Sequence, residues 1–90
     1  PGGCFPAQPL LPGDASYLQA KVDELDDRQR RLAADKGVEF FDTRALSAGH
    51  DMCAPAGERY VEGYAATDGG VPLHPTALGA LALGNALTDY

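Results

Sequence analysis

Apolar positions along the chain fall into two helical patterns separated by one short, dense apolar run. Leu18, Val22, Leu25 and Leu32 follow steps of four, three and seven, which place them on one face of a helix. Lys21, Glu24, Asp27, Arg28 and Arg31 occupy the opposite face. Asp14 reads as the N-cap of this helix, which then begins near Ala15. Gly37 reads as the left-handed residue past its end, with Lys36 in the last turn. Val38-Glu39-Phe40-Phe41-Asp42-Thr43 follows at once, β-branched and aromatic, and predicts a strand. Its adjoining Phe40 and Phe41 suit a strand covered on both faces, as in a parallel sheet. The second helical pattern runs through Leu78, Leu81, Ala82, Asn85 and Ala86, with Pro75 in its first turn and His74 just before it. Gly79 and Gly84 weaken that helix intrinsically but permit close packing against a sheet.

The rest of the chain is loop. Four prolines and three glycines within residues 1–13 exclude regular structure there. Residues 44–73 form a long, glycine-rich connection, a length that tends to be functional in a small domain. Tyr60, Val61 and Tyr64 are expected to tuck inward and hold it. A helix, a tight glycine turn and a strand make the αβ half of an αβα layer. One strand cannot form a sheet alone. The expectation is therefore an α/β fold in which residues 1–90 are the C-terminal αβα portion of a larger doubly wound domain, not an independent one.

Composition narrows the function classes. Seven Lys and Arg against 13 Asp and Glu give a net charge of −6 over 90 residues. Such a surface repels phosphate backbones and anionic head groups, which sets nucleic acid aside as a partner. No apolar run approaches the length of a bilayer crossing. Pro1-Gly2-Gly3-Cys4 has neither the basic start nor the apolar core of a signal peptide. With no initiator Met, the chain reads as a mature, processed or trimmed product. The two cysteines, Cys4 and Cys53, leave three readings open. They are a disulfide formed in an oxidising compartment, a pair of free thiols, and metal ligation by Cys53 with His50. A bridge closing a loop of roughly 50 residues would contribute about 4 kcal/mol in the chain-entropy account.

The segment richest in chemistry is Pro72-Leu73-His74-Pro75-Thr76-Ala77-Leu78-Gly79. A histidine at the mouth of a helix is kept neutral by the helix N-terminus and can accept a proton, as a general base must. A capping histidine with no chemical role is the plain alternative. His-Pro, a glycine four residues after that proline and an Ala/Leu-rich terminal helix resemble the last block of SGNH (GDSL-type) hydrolases. Gly49-His50-Asp51-Met52-Cys53, after a Phe-Phe-Asp strand, is similar to the region of secreted actinobacterial-type members where a disulfide cysteine follows. The resemblance covers nearly the whole chain. It implies a flavodoxin-like three-layer fold with a long active-site loop, a secreted or extracytoplasmic location, and carboxylic ester (esterase or lipase) hydrolysis. It implies no metal and no organic cofactor.

Two departures shape what the resemblance can transfer. The family's Asp three residues before the histidine is Val71 here, so its backbone carbonyl is the first candidate to orient His74, with Asp68 and then Asp51 behind it. The nucleophile is also missing. Ser16 opens a helix with no strand before it, and Ser47 lacks the strand–turn–helix setting of a nucleophile elbow. The reading is that His74 acts as base on a serine carried by an N-terminal segment or separate chain of the same hydrolase, on an ester or lipid substrate. This chain alone would be inactive. The rival is a non-catalytic, secreted, disulfide-stapled binding module. His50, Asp51, Arg59, Tyr60 and Tyr64 read first as loop anchors, and only second as pocket residues.

Overall fold

The computed structural model describes residues 3–90; Pro1 and Gly2, the first positions of the expected N-terminal loop, lie outside them. The described residues form three helices, α1 (Pro12–Lys36), α2 (Arg44–Ser47) and α3 (Ala77–Thr88), joined by long loops. The only β feature among them is an isolated antiparallel bridge between Val61 and Pro75.

The long helix α1 starts earlier than the sequence suggests. Leu11 is its N-cap in an extended conformation with no side-chain bond, and Pro12 opens the first turn. A fixed proline φ and a missing N–H suit that position, so Asp14 sits inside the first turn rather than capping it. Its C-terminus matches expectation. Gly37 adopts φ 67°, its N–H bonds to the Ala34 carbonyl at 3.3 Å, and the Val38 N–H bonds to the Ala33 carbonyl at 2.9 Å. These two bonds form a Schellman ending, which only a residue tolerant of positive φ accepts cheaply.

The predicted strand does not form. Residues 38–43 are extended but make no ladder, because no second strand lies beside them among the described residues. The segment instead lies against α1 through side chains. Arg30 bonds to Asp42 at 2.9 Å and lies over the Phe40 ring at 4.8 Å, and Arg44 bonds to Asp23 at 2.7 Å. The Arg44 amide, and then the Arg30 guanidinium, hold the Asp42 carboxyl below its usual range. Phe41 stacks on Tyr90 with ring centroids 5.1 Å apart, which ties the chain end to this segment. The fold is thus helical, and the expected αβα portion of a three-layer sandwich is not what the chain forms. Backbone groups of a lone extended segment have no ladder to join, so aromatic and β-branched propensity is not enough.

α3 begins two residues later than expected. Thr76, not Pro75, is next to the first turn, and its hydroxyl accepts from the Gly79 N–H at 2.9 Å. Pro75 sits in the bridge with Val61. Gly79 is buried against the loop backbone, where a Cβ would run into the Tyr60 carbonyl. Gly84 faces open space.

Little apolar surface is covered. Ala54 is the one buried hydrophobic residue among the described positions, whereas Gln8, Arg59, Glu62 and Thr76 are buried polar ones. α1 buries none of its residues. The radius of gyration is 14.3 Å, against about 12 Å for a compact domain of this length. A disulfide between Cys4 and Cys53, 49 residues apart in sequence, closes most of the chain into one loop. The two glycines of α3 give opposite expectations. Gly84→Ala raises the thermal midpoint, because a helix-interior glycine costs up to about 1 kcal/mol relative to alanine. Gly79→Ala lowers it, because the close approach to Tyr60 is lost; thermal unfolding of both variants checks this.

Candidate functional site

The loop that precedes α3 folds back on itself around one carboxylate. Glu62 is fully buried. It accepts hydrogen bonds from the Thr67 N–H at 3.2 Å, the Asp68 N–H at 3.1 Å and the Gly70 N–H at 2.7 Å. Charge-assisted bonds of this kind offset the cost of removing a carboxylate from water. They also set the loop tip, since Gly69 turns at φ 82° and a Cβ on Gly70 would press on the Glu62 carboxylate at 3.0 Å. On either side of the bridge, Glu62 N–H donates to the His74 carbonyl at 2.9 Å and Thr76 N–H to the Tyr60 carbonyl at 3.0 Å. The backbone of His74 is therefore placed by the same residue that organises the tip.

The His74 side chain is exposed. Its Nδ1 lies 2.9 Å from the Pro72 carbonyl. A carbonyl only accepts, so Nδ1 carries the proton and Nε2 of the neutral ring faces outward as an acceptor. Leu73, just before it, takes φ 65°, a left-handed conformation uncommon for a leucine and one that turns the chain sharply into His74. The candidate partners lie elsewhere. The Val71 carbonyl accepts the backbone N–H of His74 at 3.1 Å rather than the ring. Asp68 accepts from the Gly57 N–H at 2.9 Å and from the Thr67 hydroxyl at 3.0 Å, which ties the loop tip to the 55–58 turn. Asp51 accepts from the Cys53 N–H at 2.8 Å. Ser47 donates to the Arg44 carbonyl, and Ser16 is exposed in the first turns of α1.

His50 is an anchor. Its Nδ1 donates to the Glu58 carbonyl at 2.7 Å, and its ring stacks on Tyr60 at 4.0 Å and 4°. Cys53 is engaged in the disulfide, so it cannot serve as a metal ligand with His50. Among the described residues, no group of three or more His, Cys, Asp and Glu side chains could hold a metal ion. Tyr64 stays exposed, whereas Tyr60 and Val61 are half-buried.

Residues that sequence reasoning passed over hold the region together. Gln8 is 2 % exposed, and its carboxamide pairs with both backbone groups of Ala65, at 3.0 and 3.2 Å. The buried Arg59 donates from Nε to the Ala54 carbonyl at 2.8 Å, while its Nη1 has no partner among the described residues. No local pattern marks either residue, because their partners lie across a loop closure. Beside them a groove of about 260 Å³ runs between the N-terminal loop and α1, with Leu10, Leu18, Val22, Met52 and Val61 in its walls.

The GDSL-like lipase/acylhydrolase family matches residues 1–82. The chain belongs to that family. A protein named Lipase 2, from Streptomyces coelicolor (strain ATCC BAA-471 / A3(2) / M145), is 41% identical over 76 residues. The match covers 84% of this chain and 26% of that protein, so the chain spans about a quarter of the length of this relative. No solved structure matches. Membership of a GDSL family with actinobacterial relatives agrees with the resemblance read from His74-Pro75 and the Gly49–Cys53 segment. It is also consistent with an extracytoplasmic location.

Membership does not carry the activity over. The ester-hydrolase reading required a sheet to set a nucleophile opposite His74. The described residues are helical and carry no sheet, so the assignment of this chain as an enzyme, and of an α/β catalytic fold, is corrected. The disulfide and the bare apolar faces fit the non-catalytic alternative better. One test isolates the loop's architecture. Glu62→Gln puts an amide donor against backbone donors and should cost roughly 1–3 kcal/mol, the range for a buried group left unsatisfied. Faster Gly70 amide exchange and a lower urea midpoint are the expected outcomes; an unchanged midpoint contradicts this role for Glu62.

Proposed function

We propose that the chain is a non-catalytic, disulfide-stapled binding module that acts outside the cytoplasm in a secreted protein, with α1 as its contact element. One observation carries the reading. Leu18, Val22, Leu25 and Leu32 share a face of α1 and remain 41, 57, 56 and 57% exposed. A contiguous apolar face of this kind, rimmed by charge, marks a protein interaction surface rather than a solvated one. Lys21, Glu24 and Arg28 pair with one another beside the stripe, so the helix meets its charge requirements without covering its leucines.

The partner is a complementary segment of a GDSL-family polypeptide. Two facts support that choice: the chain matches a quarter of its Streptomyces relative, and its net charge of −6 disfavours nucleic acid and anionic membranes. The loop around Glu62 then has a structural task. It holds the body of the module rigid while α1 presents its stripe. His74, with Nε2 outward, is a hydrogen-bond acceptor at the edge of that body and joins the contact as a polar rim residue.

The test uses the part of the Streptomyces relative outside the matched 76 residues as the binding probe, with calorimetry and light scattering as readouts. A one-to-one complex is expected. Leu25→Glu with Leu32→Glu should weaken it at least tenfold, about 1.4 kcal/mol. The same chain should hydrolyse p-nitrophenyl acetate no faster than buffer. Failure to bind contradicts the proposal, and so does ester turnover that disappears with His74→Ala.

A further inference from the structure

The N-terminal loop, residues 3–11, crosses the body of the molecule as a strap, and its attachments differ from those elsewhere. Its own backbone hydrogen bonds are internal: Gln8 N–H to the Cys4 carbonyl at 3.3 Å and Leu10 N–H to the Gln8 carbonyl at 2.8 Å. Two side-chain ties hold it to the 50–65 region. One is the Cys4–Cys53 disulfide. The other is the Gln8 carboxamide on Ala65. Between these ties the strap forms one wall of the 260 Å³ groove, whose other walls include Leu18 and Val22 of α1 and Met52 of the loop body. Leu18 and Val22 belong to the same stripe as Leu25 and Leu32. The groove is thus the strap-covered end of an otherwise open apolar face.

The rest of the fold does not depend on the strap. α1 is fastened to the 40–44 segment by Arg30–Asp42 and Arg44–Asp23, and the loop body by the Glu62 carboxylate and the Thr76 hydroxyl. The disulfide is also within reach of solution, since Cys53 is exposed and Cys4 half-buried.

We propose that Cys4–Cys53 is a thiol-sensitive latch: its reduction releases the strap from the loop body and uncovers the Leu18–Val22 end of the apolar face. The co-reactant is a dithiol. Its thiolate attacks the exposed Cys53 sulfur, the S–S bond breaks, and Cys4 leaves as a thiolate that takes up a proton. The second thiol, deprotonated, then attacks the mixed disulfide and expels Cys53, which is protonated in turn. The dithiol ends as a cyclic disulfide, and its two electrons and two protons reside on the cysteine pair. Gln8 alone then holds the strap, through two bonds to one residue. Regulation of partner binding by the latch rests on the binding-module reading above; release of the strap does not.

Hydrogen exchange on the whole chain, with and without dithiothreitol, tests the release. The Gln8 and Leu10 amides should exchange at least about tenfold faster after reduction, a gap of one decade in opening equilibrium. Gly70 and the α1 interior should change less than about twofold on the same scale, and the helical circular dichroism should persist. Cys4→Ser with Cys53→Ser should reproduce the reduced pattern without reductant, and adding Gln8→Ala should accelerate the strap further. Unchanged strap exchange overturns the latch. So does loss of the α1 signal on reduction, which makes the disulfide a global staple, and wild-type protein supplies that result even where the double variant fails to fold. The binding probe separates the two proposals. A strap that opens while no complex forms in either redox state overturns the binding reading and leaves the latch standing. A complex that forms while the strap never opens overturns the latch alone. Where both hold, the reduced chain should bind at least about threefold more tightly than the oxidised one, since more apolar surface meets the partner.

Discussion

A single carboxylate with nowhere to go but inward organises the body of this molecule. Burying Glu62 without partners would be prohibitive, so the loop after it must curl until three backbone N–H groups converge on its oxygens. That curl brings residues 73–76 back beside 60–63, makes the Val61–Pro75 bridge, and sets both the entrance to α3 and the position of His74. The Thr76 hydroxyl then donates to the Arg59 carbonyl at 2.7 Å, and Gly79 closes on Tyr60. Order here comes from satisfied polar groups and one disulfide. It does not come from a covered hydrophobic core.

That balance explains why the helices project as they do. A helix of 25 residues with no buried side chain gains nothing from tertiary burial. Its own stability comes from length, a proline start, a glycine stop and charge pairs one turn apart. Its leucines are therefore free to face another surface. An apolar stripe exposed in the free chain and a polar, hydrogen-bonded body are the two halves of a docking element: one supplies contact area, the other holds it in shape. The net charge of −6 narrows what that surface can be.

Local signals predicted local structure. The spacing of Leu18, Val22, Leu25 and Leu32, and Gly37 after Lys36, were enough to place α1 and its end, because helix periodicity and a left-handed stop are written within a few residues. The two cysteines left a disulfide among three readings, and only coordinates could choose. Residues 38–43 misled for a physical reason. Aromatic and β-branched side chains favour an extended backbone, but a strand exists only with a neighbour, and the described residues supply none. Asp14 and Pro75 were each two or three residues from the true helix starts, since Pro12 and the Thr76 hydroxyl compete for the same task. Around His74, the sequence marked the histidine and a carbonyl partner. It could not say that the Pro72 carbonyl takes the ring N–H while Val71 takes the backbone one, a choice made by the left-handed turn at Leu73. Gln8, Arg59 and Glu62 were illegible, because burial of polar residues depends on loop closures that no short motif encodes. Family membership, though shown, did not predict the helical architecture of this chain.

The central claim is that the apolar faces stay open in the folded chain. The heat-capacity change of unfolding, from calorimetry on the oxidised protein, tests it most directly. A compact domain of 90 residues releases about 1.1–1.4 kcal/mol/K as its core meets water. The account predicts roughly half that or less, on the same scale, because most large apolar side chains already face solvent. A value at the full compact level would contradict it, since the leucines of α1 would then have to be buried in the native state.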